Sequence, residues 1–216
     1  MLRYAKSADL PALADIAAQA MLNDELFVYL CPYRHEHHAD FRAAFLRRLK
    51  MRLHTPDCVM IVAVEPECSG DEETEHVRGN KLTISGLERT LLSIENHYYN
   101  LVSPDRSIDN KRLERYNQLV ETGFDFEGIS ELWFLSTVAV DPVHQRRGLG
   151  RLLVQWGLDR AREEQTPVGL EASLQGISLY EKMGFRTVAT VEVVPGLTVP
   201  AMLWEPERPA DGDAQS

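Results

Sequence analysis

Cysteine is scarce in this 216-residue sequence, and long apolar runs are missing. The three cysteines, Cys31, Cys58 and Cys68, have no C-x-x-C spacing. This excludes a disulfide-built scaffold and a cysteine-rich zinc site, and it fits a reducing compartment. No apolar run approaches the roughly 18 to 20 residues that a membrane helix needs, and the N-terminal residues lack the apolar core of a signal peptide. We therefore expect a cytoplasmic protein with no membrane partner, and leave the nucleus open.

Basic charge is also in the minority, with 23 Lys and Arg against 33 Asp and Glu, for a formal net charge of −10. A general nucleic-acid-binding protein needs a basic face, so we expect no nucleic-acid partner. The acidic balance would suit a positively charged small substrate, although solubility alone is the simpler explanation. The composition is 44% hydrophobic and 26% charged, which is typical of a globular domain.

The pattern along the chain predicts an α/β domain built on a mixed sheet. Apolar and β-branched stretches indicate a strand at 58–65, a central strand at 131–140 and another at 168–173. Two final strands, "RTVATVEV" and "TVPAMLWEP", are joined at "VPGL". We predict a single domain over 1–205, with a charged loop and helical insertion at 66–128 and a disordered tail at 206–216.

The stretch "DPVHQRRGLGRLLVQW" (141–156) places two glycines and three arginines at the start of a helix-like apolar pattern. A helix N-terminus exposes unpaired N–H groups and the positive end of the helix dipole, so it binds anions. Gly148 and Gly150 would let the backbone approach such a ligand, and the arginines add charge. The stretch lacks the G-K-[ST] ending of a P-loop, which disfavours a nucleotide-dependent kinase or ligase. A turn with solvated arginines is the alternative.

Two motifs give this turn a context. "TVAVDPVHQRRGLGRLLVQWGL" carries V-x-P-x-x-[QR]-x-x-G-x-[GA], with Gln145, Gly148 and Gly150 on its fixed positions, and "LYEKMGF" follows about thirty residues later. Together they resemble the GNAT superfamily of N-acetyltransferases, as does the N-terminal "RYAKSADLPALADIAAQAM". The resemblance covers most of the chain except 66–128 and the tail. It implies a GNAT-type mixed, mostly antiparallel central sheet flanked by helices, with a helical insertion before the central strand.

The same resemblance implies acetyl-CoA as co-substrate, with no metal. The pyrophosphate would lie on the N–H groups of residues 146–151, and the pantetheine arm would pair with the backbone of 138–140 in a gap between two splayed strands. The cofactor-binding residues expected in this way are Val138, Ala139, Val140, Gln145, Arg146, Arg147, Gly148, Leu149, Gly150, Arg151 and Ser173.

For the catalytic roles, the resemblance implies one proton donor but leaves several candidates for the general base. Tyr180 is expected to donate a proton to the departing thiolate, the alternative being a core aromatic. Glu131, at the start of the central strand, is a candidate general base or a solvated charge. Glu171 is another candidate base or a salt-bridge partner, and water could serve instead of either. Neither motif contains a cysteine, so we expect direct transfer without an acetyl-enzyme.

These observations predict an N-acetyltransferase that acts on a primary amine, and we expect this amine to belong to a small molecule. A peptide or protein amine and a non-catalytic acyl-CoA-binding sensor remain alternatives. Tyr98, Tyr99 and Trp133 could line an acceptor pocket or belong to the core. The "HEHH" run at 35–38 is read as solvated histidines rather than a metal site. The sequence gives no indication of oligomeric state.

Overall fold

The computed structural model of the chain describes residues 1–64, 104–123, 129 and 131–207. The first half has two short strands and three helices, and the second half has three helices and four strands. The first-half elements are β1 (Leu2–Tyr4), a 3-10 turn (Ser7–Asp9), α1 (Leu10–Met21), α2 (Glu25–Leu30), α3 (His38–Leu53) and β2 (Ile61–Ala63). The second-half elements are α4 (Asn110–Gly123), β3 (Trp133–Phe134), a 3-10 turn (Pro142–His144), α5 (Leu149–Glu163), β4 (Val168–Glu171), α6 (Ile177–Lys182), β5 (Arg186–Val194) and β6 (Leu197–Trp204).

The described strands form two sheets. Strands β1 and β2 pair antiparallel, and the larger sheet has the order β3-β4-β6-β5. Strands β3 and β4 run parallel, whereas β4–β6 and β5–β6 are antiparallel. The β5–β6 turn contains Gly196 at φ +86°, a left-handed conformation that glycine adopts without steric cost. The predicted mixed, mostly antiparallel sheet flanked by helices is confirmed.

Two apolar clusters hold the helices in place. In the first, the small residues of α1 allow α3 to approach closely, and Phe41 and Phe45 of α3 fill the contact together with Phe27. In the second, one face of α5 packs on the larger sheet. Its buried members are Val154, Leu158, Ala161, Val168, Leu170, Ala172, Phe185, Met202 and Trp204. The cavity described below is bordered by residues of both clusters.

The predicted central strand at 131–140 is wrong in its length. Strand β3 covers only Trp133 and Phe134, and the amide of Leu135 makes one further bond to the carbonyl of Gly169, at 2.9 Å. Within the described residues, no backbone hydrogen bond is donated by residues 136–140. The physical reason is that the chain turns away from β4 here, so regular pairing stops while the apolar composition continues.

Other boundaries are shorter than the sequence patterns indicate. Strand β2 covers 61–63 rather than 58–65, and β4 covers 168–171 rather than 168–173. Helix α4 lies within the predicted insertion, but residues 65–103 and 124–128, with Tyr98, Tyr99 and Cys68, lie outside the described residues, as does 208–216. None of the helices in the described ranges has the length and apolarity to span a bilayer.

Candidate active site

The turn before α5 is held in an open shape by side-chain to backbone contacts. The carboxylate of Asp141 accepts from the amide of Val143 at 3.0 Å, and the side-chain amide of Gln145 donates to the carbonyl of Val140 at 3.1 Å. Arg146 and Gly148 both have positive φ, +63° and +83°. Glycine adopts positive φ without steric cost, whereas an arginine with positive φ is uncommon. The turn is thereby fixed before the helix begins.

This turn leaves a row of amides that have no backbone partner among the described residues. The first backbone bond at the start of α5 runs from the amide of Leu152 to the carbonyl of Gly148, at 3.0 Å. In the described part of the chain, no backbone hydrogen bond is donated by residues 146–151, and Gly148 provides no side-chain cap. The exposed side chains of Arg146, Arg147 and Arg151 lie beside these amides. Amides at a positive dipole end, next to guanidinium groups, favour a bound anion.

A cavity of about 410 Å³ lies where the chain after β3 separates from β4. One wall is the segment 134–138, and the facing wall is the end of β4 with the residues that follow it. Helices α1, α2 and α3, with Ile108, Leu113 and Tyr116 of the α4 region, close the other side. The expected gap between two splayed strands is therefore present, and it opens toward the helical half of the molecule.

Tyr180 lines this cavity from α6, and its position is set by a glycine. A Cβ on Gly176 would lie 2.8 Å from Cε2 of Tyr180, closer than packing allows. The ring also packs edge-on against Phe185 at a centroid distance of 5.6 Å. Burial raises the pKa of Tyr180 to about 12 because the phenolate would lose its hydration. The phenol therefore stays protonated through neutral pH.

Ser173 lines the cavity too, and it also organises the turn into α6. Its hydroxyl accepts from the amide of Gly176 at 3.2 Å, and its carbonyl accepts from the same amide at 2.9 Å. The serine is exposed. The two hydrogen bonds of Ser173 thus help to place Tyr180, and the Ser173 hydroxyl still faces the cavity.

Carboxylates line the cavity from both sides, Asp24 and Glu25 from the helical side and Glu171 from the strand wall. Asp24 caps α2 by accepting from the amides of Leu26 and Phe27 at 3.1 and 3.2 Å. Burial raises the pKa of Asp24, and the neighbouring charge of Glu25 adds to this effect. Oxygen Oε2 of Glu25 is buried and has no hydrogen-bond partner. At the end of β4, Glu171 accepts from the hydroxyl of Tyr116 at 2.7 Å.

Two arginines of α3, one helical turn apart, line the same cavity. Arg52 donates to the hydroxyl oxygens of Thr137 at 2.8 Å and Ser136 at 2.6 Å. Arg48 is exposed, and its guanidinium lies 5.8 Å from the ring centroid of Phe45. In the described ranges neither guanidinium has a carboxylate within ion-pair distance.

The structure brings together some of the residues predicted from sequence and separates others. Tyr180, Ser173 and Val138 line the cavity, and so does Glu171. Glu131 is exposed and does not line it. Trp133 packs on the α5 cluster and donates to the carboxylate of Glu164 at 2.8 Å. The segment 145–151 forms the amide-rich turn described above.

Sequence reasoning missed Tyr116, Asp24, Glu25, Arg48 and Arg52. Each lies on or beside an ordinary amphipathic helix, and no motif surrounds it. The i, i+4 spacing of Arg48 and Arg52 was a weak signal, because it puts two arginines on one face of a helix that also carries Phe41 and Phe45.

No group of three or more His, Cys, Asp or Glu suited to a metal ion occurs among the residues described.

Comparisons with known proteins agree with this geometry. A family model described as acetyltransferase (GNAT) domain matches residues 112–187. An acetyltransferase of Stachybotrys chartarum is 25% identical over 206 residues, covering 89% of this chain and 83% of that protein. A probable acyltransferase, SID5, of Ajellomyces capsulatus is 42% identical over 50 residues, covering 23% of this chain and 37% of that protein. The chain therefore spans well under half the length of this second relative.

A solved structure shares the fold over nearly the whole chain. It is described as histone acetyltransferase HPA2 and related acetyltransferase from Corynebacterium glutamicum, and it covers 97% of this chain and 98% of its own. The TM-score is 0.60 at 21% sequence identity. The likeness shows a common overall architecture.

The two open glycines of the α5 region should respond oppositely to alanine. A Cβ at Gly148 or Gly157 would meet nothing within 4 Å. The backbone conformation alone therefore determines how alanine changes the free energy of unfolding at these two positions. Because Gly148 has φ +83°, Gly148→Ala should lower the free energy of unfolding by about 1 kcal/mol. Gly157→Ala, inside the helix, should raise it by about 0.5 to 1 kcal/mol. Urea unfolding of both variants measures this, and changes of the same sign would contradict the turn geometry.

Proposed function

We propose that this chain, which belongs to the GNAT superfamily of acetyltransferases, moves an acetyl group from acetyl-CoA directly to a primary amine. The observation that carries the proposal is the cavity at the separation of β3 and β4, which has Tyr180 in its wall. The amide-rich turn follows the same diverging segment along the chain. A thioester ligand and an amine acceptor could enter this cavity from opposite sides, the acceptor from the helical side.

The described residues fit acetyl-CoA. The amides of residues 146–151 and the three arginines suit its pyrophosphate. The backbone of 136–140 donates no hydrogen bond within the described chain, so it is available to pair with the amide groups of a pantetheine arm as an added strand would. When bound, acetyl-CoA supplies an acetyl group already activated as a thioester.

The transfer forms a bond between the amine nitrogen and the acetyl carbon and breaks the bond from that carbon to sulfur. A backbone amide of 138–140 can donate to the acyl oxygen as negative charge develops there. Tyr180, held protonated by burial, can donate its proton to the departing sulfur. The amine must give up a proton, and solvent returns one to Tyr180, so the proton count balances.

Glu171 is better placed than Glu131 to accept the proton of the amine. It lines the cavity, and its Oε2 is fixed by the hydroxyl of Tyr116 at 2.7 Å. Burial, together with the Glu171 carboxylate, raises the pKa of Tyr116 above its usual range, which keeps this hydroxyl a donor. Glu131 is exposed outside the cavity. We therefore assign Glu171 as the general base and Tyr116 as the residue that positions it.

Acetyl-CoA should stabilise the protein and be consumed only when an amine is present. At about 100 times its dissociation constant it should add about 2.7 kcal/mol to the free energy of unfolding. Thermal unfolding with acetyl-CoA, and free-thiol release with a panel of amines, measure the two effects. Stabilisation without thiol release from any amine would favour a non-catalytic acyl-CoA sensor. The absence of any stabilisation would contradict the assignment of the turn.

Tyr180→Phe should remove the proton donor and preserve the packing on Phe185. We expect kcat to fall about 100-fold or more, with the affinity for CoA little changed. Since the pKa of Tyr180 is about 12, the wild-type rate should show no alkaline fall from this residue until pH approaches that value. A pH profile of kcat, together with CoA titration of both proteins, checks this. An unchanged kcat in the variant would make Tyr180 structural.

The two candidate bases can be compared by the same isosteric change. Glu171→Gln should lower kcat at neutral pH by about 100-fold, and raising the pH should recover part of the loss because more amine is then neutral. Glu131→Gln, at the exposed site, should leave kcat unchanged. Single-turnover thiol release across pH distinguishes them. A larger loss for Glu131→Gln, or a Glu171→Gln loss that does not depend on pH, would overturn the assignment.

A further inference from the structure

The cavity carries charges of both signs that the protein does not pair with each other. Asp24, Glu25 and Glu171 line it, as do Arg48 and Arg52. In the described residues no ion pair joins the two sets. A buried carboxylate such as that of Asp24 is costly unless an opposite charge compensates it. The cavity is therefore suited to a ligand that carries both a positive and a negative charge.

Among the described residues, one carboxylate oxygen on the acidic side has no hydrogen-bond partner. Asp24 is occupied by capping α2, and Glu171 is held by Tyr116. Glu25, next to Asp24, has its buried Oε2 unbonded. Asp24 and Glu25 also repel each other, since Glu25 contributes to raising the pKa of Asp24. A cation placed here would satisfy the orphan oxygen and relieve the repulsion.

The two arginines form no ion pair with a carboxylate of the described residues. Arg52 is bonded to the neutral hydroxyls of Ser136 and Thr137. Arg48 makes its recorded contact with the face of Phe45. The nearby carboxylate of Asp105 attracts Arg48 without forming an ion pair, because it accepts instead from the amide and hydroxyl of Ser107 at 2.9 and 2.5 Å. Two guanidiniums one helical turn apart suit a carboxylate, which can accept from both.

We propose that the acceptor is a zwitterion, an amine that also bears a carboxylate, whose anionic group binds Arg48 and Arg52 and whose cationic group is drawn to Glu25. This inference rests on the proposed acetyl transfer and names the substrate class for it. The two arginines are not needed for the phosphates of CoA, because the turn before α5 has its own amides and three arginines. A free amino acid or a short peptide has the required chemistry.

The test compares amines that differ only in the carboxylate. Lysine with cadaverine, and phenylalanine with phenethylamine, are such pairs, and lysine amide keeps the size of lysine without the negative charge. Thiol release at saturating acetyl-CoA gives kcat and KM for each. The variants are Arg48→Met, the charge-preserving Arg48→Lys, and Arg47→Met as the matched control. Arg47 is adjacent on α3 but does not line the cavity. Thermal unfolding verifies that each variant folds.

For the wild type, kcat/KM should be about 10- to 100-fold higher for the carboxylate-bearing member of each pair. Arg48→Met should abolish this preference by raising KM for lysine, while the stabilisation by acetyl-CoA is retained. Arg48→Lys should retain part of the preference and Arg47→Met all of it. Stabilisation of the protein by lysine, measured without turnover, should likewise be lost in Arg48→Met.

Two results would overturn the inference, and they are separable. Equal use of both members of each pair, with Arg48→Met affecting them alike, would reject the zwitterion while leaving amine acetylation intact. Thiol release from no amine, although acetyl-CoA still stabilises the protein, would reject the proposed function, and the zwitterion as its substrate with it.

Discussion

The hydrogen bond from the amide of Leu135 to the carbonyl of Gly169 is the last one recorded between β3 and β4. Strand pairing needs the two backbones about 4.8 Å apart, so once they diverge the amides and carbonyls of 136–140 must find other partners. Ser136 and Thr137 are exposed and residues 138–140 are half-buried, so solvent or a ligand can reach these groups. The cavity at this point lets an extended ligand supply the missing bonds, and the other features of the site are arranged around the same gap.

The two halves of the molecule contribute different chemistry to the gap. The sheet half supplies backbone donors, the phenol of Tyr180 and the carboxylate of Glu171, all on elements fixed by the α5 cluster. The helical half supplies charged side chains from α2 and α3, anchored by the Phe41 and Phe45 packing. In the proposed reaction the reacting groups thus lie on β4 and on α6, next to the packed α5 cluster, where position matters most. Recognition lies on helices, whose faces can change charge without disturbing the sheet.

The residues that sequence could predict are those whose role depends on the backbone. Gly148 and the amides around it are recognisable because a sharp turn into a helix constrains the local sequence. Tyr180 is recognisable because it is in a short motif with Gly184 and Phe185. The length of β3 was not predictable in this way, because β-branched composition persists in 136–140 after the pairing has stopped. Amino-acid composition indicates which residues are buried, whereas backbone pairing depends on the path of the neighbouring strand.

The acceptor side of the site could not be predicted for a related reason. Asp24, Glu25, Arg48 and Tyr116 come from three helices, and only tertiary packing brings them to one cavity. On a single helix each looks like a solvated charge or an amphipathic aromatic. The charge of −10 was equally uninformative, since it averages over surface residues that the substrate never meets.

Binding an amine through its positive charge and acetylating it require opposite protonation states of the amine. Carboxylates attract the protonated amine and raise its pKa, but a nucleophile must be neutral. One carboxylate cannot serve both demands well. The cavity separates them, since Asp24 and Glu25 lie at the start of α2 while Glu171 lies at the end of β4, where it is hydrogen-bonded by Tyr116. In the proposed mechanism the first pair sets the charge of the acceptor side, and Glu171, on the same wall as Ser173, takes the proton from the reacting nitrogen.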